Sequence, residues 1–156
     1  MKNLLIILVF GLSTICIGQT KKEMTFNSKN TEKMRQFFYE FDDNFNLAMV
    51  SKDSTFFANH MTDSFINCTP AGEVNSKTEE ISLLLKLPFT HVERIAQKYD
   101  IFTLSDKIAT MSVIKKINRK DGSIINVRRT IVYERIKKEW KIASGQGTNV
   151  LPKYLN

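Results

Sequence analysis

The sequence predicts an α+β domain in which helices near the N-terminus pack on a curled antiparallel sheet. Three observations carry this reading. An aromatic-rich apolar stripe at helical spacing runs from Met34 to Met49. After Pro88 the residues turn β-branched and aromatic, in long strand-like runs. Those runs follow one another through short turns, which makes an antiparallel meander, because parallel neighbours need a long crossover. A chain of 156 residues fits one domain.

Residues 1–18 stand apart from that domain. Lys2 supplies a positive start, Leu4 to Phe10 is an unbroken apolar run, and polarity rises sharply at Gln19. Small residues, Cys16 and Gly18, precede a cut between Gly18 and Gln19, the pattern of a secretory signal peptide. The run falls short of the ~20 apolar residues a spanning helix needs. The mature chain is therefore expected to have no transmembrane segment and to be exported, periplasmic or secreted, in a bacterial envelope. Lipid attachment at Cys16 is the other option; Ile15, bulky where a small residue is usual, fits it poorly. Residues 19–30 read as a flexible lead-in, 31–150 as the domain and 151–156 as a C-terminal tail.

Thr31 can cap a first helix, with Glu32 at the positive end of its dipole. Met34, Phe37, Phe38, Phe41, Phe45, Ala48 and Met49 give its core face, and it ends near Ser51-Lys52-Asp53. A short second helix follows with Ser54 as cap and Phe56, Phe57 and Met61 inward. Asp63 to Cys68 reads as a strand, Thr69-Pro70-Ala71-Gly72 as a turn, and Glu73 to Asn75 as a short return strand. Ser76-Lys77-Thr78-Glu79 is a capping box opening a third helix, which Pro88 stops. Four long strands complete the chain, at 91–104, 107–118, 123–136 and 140–148, with Asp121-Gly122 the clearest hairpin signal.

The net charge is +7. Export argues against nucleic acid as the partner. The charges are scattered, and Lys115-Lys116, Arg128-Arg129 and Lys137-Lys138 read as a solvated strand face and hairpin tips. With Cys16 gone, Cys68 is the one cysteine left, so no internal disulfide forms, and a small buried thiol is the plain reading. His60 and His91 have no metal-binding spacing, so neither a metal nor a cofactor is expected. Gly145-Gln146-Gly147 lacks the third glycine and following helix of a phosphate loop, and reads as a bend in the last strand.

Helix, short helix, hairpin, helix and four-stranded meander is the element order of the nuclear transport factor 2-like superfamily. Asn46 to Asp53 resembles the end of that family's first helix. Phe65 to Gly72 resembles its first hairpin, Tyr99-Asp100-Ile101 with Ser105 to Ala109 its third-strand hairpin, and Trp140-Lys141-Ile142 its last strand. The resemblance covers about residues 31–149 and looks closest to the SnoaL-like branch. It implies a sheet curled around the first helix with a cavity at the open end. Some such proteins use the cavity for cofactor-free proton-transfer chemistry, others to bind ligands or partners. It also implies a homodimer through the outer face of the sheet.

Isomerase-like relatives carry an aspartate base on the first strand pair, where this chain has Asn67 and Cys68. An amide cannot abstract a proton at neutral pH. Asp63, the nearest carboxylate, reads as a capping or surface residue. Gln146 alternates with Trp140, Ile142 and Ser144, and Tyr133 lies on the neighbouring strand. Gln146, Tyr133 and Asn67 are then candidates to converge as hydrogen-bonding groups in an apolar pocket. The plainer alternative leaves Tyr133 in the core and Gln146 at the rim. The function expected is the binding of a small apolar ligand or a partner. The alternative is a cofactor-independent isomerase, cyclase or hydrolase, and a third reading is a purely structural envelope protein.

Overall fold

The computed structural model describes residues 28–97 and 100–155. The expected signal peptide, most of the lead-in and Tyr99 lie outside the described residues. Helix α1 spans Ser28–Ser51, beginning three residues before the expected Thr31. Its inward face is Phe38, Phe45, Ala48 and Met49, while Phe37 is 41% exposed. Helix α2, Ser54–His60, is capped by Asp53 rather than by Ser54: the Asp53 carboxylate accepts the Phe56 N–H at 2.9 Å.

Strand β1 (Met61–Cys68) turns through Gly72, at φ +89°, into the short β2 (Val74–Ser76). Helix α3 (Lys77–Lys86) starts at the expected box, where Glu79 accepts from the Ser76 N–H at 2.8 Å and the Ser76 hydroxyl at 2.7 Å. It ends at Leu87, ahead of Pro88.

The expected strand 91–104 is two strands, β3 (Phe89–Ile95) and β4 (Ile101–Leu104). Both pair with the same edge of β5 (Ile108–Arg119), Ile95 opposite Ile114 and Ile101 opposite Ser112. Only Val113 separates those two partners, so the pairing along β5 is interrupted between Ile95 and Ile101. Asp100 ties back to Gln97, its carboxylate accepting the Gln97 N–H and its own N–H donating to the Gln97 carbonyl. The chain continues antiparallel through β6 (Ile124–Ile136) and β7 (Glu139–Asn149).

The strand order is β2-β1-β7-β6-β5-β3, with β4 on β5. One pairing departs from the all-antiparallel expectation: β1 runs parallel to β7. The last strand returns in the direction of β1 and seats beside it, so the early hairpin joins the meander in a single sheet. The sheet curls around α1, and Phe38, Phe57, Phe65, Met111 and Tyr133 fill the space between them. Full burial of such a side chain contributes about 1.5–3 kcal/mol.

A bulge in β7 decides which side chains face inward. Val132 lies opposite Ser144 but Tyr133 lies opposite Ile142, so Ala143 is an extra residue. Inward positions are Ile142 before the bulge, then Gly145 and Gly147 after it.

Candidate functional site

A cavity of about 420 Å³ opens at one end of the cone. Its apolar walls come from α1 (Phe45, Met49), α3 (Leu83, Leu84) and its cap Leu87, and strands β5 and β6 (Ile117, Val127). Exposed Pro70, Ala71, Glu73 and Asn149 form its rim, whereas Asn67, Glu80 and Lys115 lie buried at its inner end beside Arg129. Phe57 and Phe65 are core residues outside its walls, so the aromatic core does not plug it.

The inner polar groups are tied in two knots. In the first, the Lys115 ammonium donates to Asp42 Oδ1 and Asn46 Oδ1, each at 2.6 Å. It also lies 5.3 Å from the centre of the Phe45 ring. Burial lowers the Lys115 pKa from its usual value, and the Asp42 carboxylate opposes that shift. In the second knot, Arg129 Nη1 donates to Asn67 Oδ1 at 2.8 Å, and Asn67 Nδ2 donates to Glu80 Oε2 at 2.9 Å. Asn75 donates to the same Oε2 at 3.0 Å, and Arg129 Nη2 stands 3.8 Å from Glu80 Oε1. Burial lowers the Arg129 pKa too, against the pull of Glu80 and Asp42.

Gly145 makes the second knot possible. A Cβ there would come within 2.6 Å of Arg129 Nη2 and 2.8 Å of Asn67 Oδ1. At Gly147 a Cβ would press on the Pro70 ring at 3.0 Å. The Gly145-Gln146-Gly147 segment is thus regular strand, and its glycines serve close approach rather than the expected bend.

Of the three residues expected to converge, only Asn67 lines the cavity. Tyr133 points inward but sits in the core, its ring 4.5 Å from that of Phe38 and its hydroxyl without a protein partner. Burial, reinforced by the Asp42 charge, raises its pKa well above the ordinary tyrosine value. Gln146 is exposed on the outer face, because the Ala143 bulge reverses the alternation that placed it with Trp140 and Ile142. The expected solvated strand face is also corrected in part: Lys115 is buried and Arg129 nearly so, while Lys116 remains 39% exposed.

Asp63 is fully exposed and pairs with Lys77 at 3.1 Å. His60 stacks on Phe56 with Nδ1 2.8 Å from the Phe56 carbonyl, and His91 sits 3.7 Å from Glu93; neither lines the cavity. Cys68 is half-buried and free. Among the described residues no group of three or more His, Cys, Asp or Glu is placed to hold a metal ion. No described helix is long and apolar enough to cross a membrane.

No protein-family profile matches the sequence, and no curated protein matches it. Solved structures do. One is an NTF2-like protein from Cytophaga hutchinsonii, 17% identical, with a TM-score of 0.66 over 74% of this chain and 98% of the other. This chain has the NTF2-like fold. A second NTF2-fold neighbour is a presumptive ketosteroid isomerase from Parabacteroides distasonis, 19% identical, TM-score 0.58, covering 83% of this chain and 95% of the other. A third is the association domain of C. elegans CaMKII, 11% identical, TM-score 0.64, covering 77% and 98%. At these identities the likeness reaches the NTF2-like fold and not a branch within it.

Proposed function

We propose that this protein binds a small, largely apolar molecule inside the cone, in the manner expected of the SnoaL-like branch. The observation that carries the reading is a cavity of about 420 Å³ with apolar walls and a buried polar cluster of Asn67, Glu80, Lys115 and Arg129 at its inner end. Ligand sites of about 300–1,000 Å³ typically have this composition, with a few polar groups fixing orientation. Titration with the neutral fluorophore N-phenyl-1-naphthylamine tests it. Saturable binding to the wild type, lost in Leu83→Trp, which fills the wall, is the expected result. Equal fluorescence with both proteins would place the probe elsewhere and sink the reading.

One observation favours a second reading, a cofactor-free isomerase-like enzyme. Glu80 is a buried carboxylate on the cavity wall whose Oε1 stands 3.8 Å from Arg129 Nη2, while its amide hydrogen bonds fall on Oε2. Such an oxygen can take a proton from carbon α to a ligand carbonyl and return it. The presumptive ketosteroid isomerase among the fold's neighbours supports this reading. Exchange of that hydrogen for deuterium in D2O, abolished by Glu80→Gln, would establish it; no exchange across a panel of cyclic ketones would reject it.

We further propose export, with cleavage before Gln19, and pairing of two copies through the outer sheet face. The apolar leader supports the first. The CaMKII association domain among the fold's neighbours supports the second. Native mass spectrometry of protein from the host envelope reads both: a mature chain starting at Gln19 and twice its mass are expected, and an uncut or monomeric species would refute the corresponding point. The same spectrum would reveal a co-purified ligand.

A further inference from the structure

The inner wall of the cavity carries more unspent hydrogen-bond donors than acceptors. An ammonium has three N–H donors and a guanidinium five. Lys115 spends two, on Asp42 and Asn46. Arg129 spends one on Asn67, and its Nη2 lies 3.8 Å from Glu80, beyond hydrogen-bond reach. Both side chains line the cavity, and Arg129 keeps 14% of its side-chain surface open.

The acceptors are largely used. Glu80 Oε2 holds two amide donors, and both polar atoms of Asn67 are occupied. Asp42, which neutralises Lys115, lies behind it and is not part of the wall. The charges that do face the inner cavity are therefore two cations and the single carboxylate of Glu80. Arg119 and Glu73, of opposite charge, also line the cavity.

Resting on the ligand-binding reading, we propose that the ligand is an apolar acid whose carboxylate is received by Arg129 and Lys115 at the buried end. A carboxylate matches a guanidinium edge in two parallel bonds, and such bonds strengthen away from water. The Asn67 and Glu80 contacts hold the Arg129 plane still, and the absent side chain at Gly145 leaves room for it. Phe45, Leu84 and Val127 then cover the apolar body.

The test uses three ligands with one body and different heads: 2-naphthylacetate, 2-(2-naphthyl)ethanol and 2-(2-naphthyl)ethylamine, titrated calorimetrically into the mature protein. The acid is expected to bind at least about tenfold tighter than the alcohol, the size of one charge-assisted hydrogen bond, and the amine weakest. Arg129→Gln leaves Glu80 buried without its cation and is prone to misfold. The paired variant Arg129→Gln/Glu80→Gln keeps the knot neutral and amide-bonded. In it the acid's advantage over the alcohol, read as the ratio of their dissociation constants, should fall to what Lys115 alone supplies. Equal binding of acid and alcohol to the wild type would overturn the anionic head and leave the apolar cavity standing. Preference for the amine would also overturn it and assign recognition to Glu80. Acid preference undiminished in the paired variant would overturn the role of Arg129. Failure of all three ligands would remove the ligand-binding reading along with it.

Discussion

Lys115 and Asp42 are among the most buried charged side chains described, and single changes there should be costly. Lys115→Ala leaves a carboxylate in the core without its cation, which typically costs about 3–5 kcal/mol. The triple variant Lys115→Met/Asp42→Leu/Asn46→Leu, apolar throughout, should recover most of that loss in urea unfolding. A Lys115→Ala cost no larger than that of a surface change, about 0.5 kcal/mol, would contradict the burial. Tyr133 offers a pH signature. An unfolded tyrosine loses its proton near pH 10, whereas in the fold burial keeps the Tyr133 hydroxyl protonated well above that. Above about pH 10 the unfolded chain therefore binds fewer protons than the folded one, and stability falls as pH rises. Tyr133→Phe removes this loss together with an unpartnered hydroxyl. It should match or exceed the wild type at pH 8, with an advantage that widens above pH 10. The depressed Lys115 acts in the opposite sense but cancels between the two proteins. A constant difference across pH would refute the claim. At this scale the sequence was only partly legible. Lys115 alternates with Val113 and Ile117, and Arg129 with Val127 and Ile131, so parity already marks both as inward. Asp42 and Asn46 likewise stand four and eight residues after Phe38 on one helical face. The apolar neighbours carried the signal, but a charge at such a position reads as solvated until its partner is known, and the partners lie 69 and 73 residues away.

Elements were legible where their signals are local. Helix α3 begins at its capping box and stops before Pro88, because both signals act within one turn of chain. The cap of α2 shows the limit: Asp53 and Ser54 are adjacent and both competent, and backbone geometry selects Asp53. Asp53→Ala should cost about 0.5–2 kcal/mol and Ser54→Ala far less, measured by thermal unfolding. The reverse ranking would mean that the cap is misassigned. Two departures arose from pairing rather than propensity. The break between β3 and β4 exists because both must fit one stretch of β5. The Ala143 bulge turns Gln146 outward and Gly145 inward, and no rule of alternation anticipates an extra residue. Gly145→Ala is therefore a test of register as well as of space. It should destabilise by about 1–3 kcal/mol, the usual cost of overpacking, and weaken binding of an acidic ligand. A silent Gly145→Ala would mean that Arg129 does not occupy the place described.

For the whole molecule, the α+β class, the element order and the antiparallel meander followed from the switch between helical and strand-like patterns, and the curl around the first helix from the resemblance. The cavity itself came only with the resemblance, since no residue pattern states where a fold is left unfilled. The parallel seating of β1 beside β7 was not legible at all, because the two segments lie at opposite ends of the domain. That seating has a consequence in time. During synthesis β1 emerges early, yet apart from the short β2 its only neighbour among the described strands is β7. A nascent chain thus carries an incomplete sheet until β7 has been made. A chain ending at residue 138 should show no cooperative thermal transition, and a sharp one would contradict this. The proposed export needs an unfolded chain, and a sheet that closes only when β7 arrives keeps the preceding segments threadable until then.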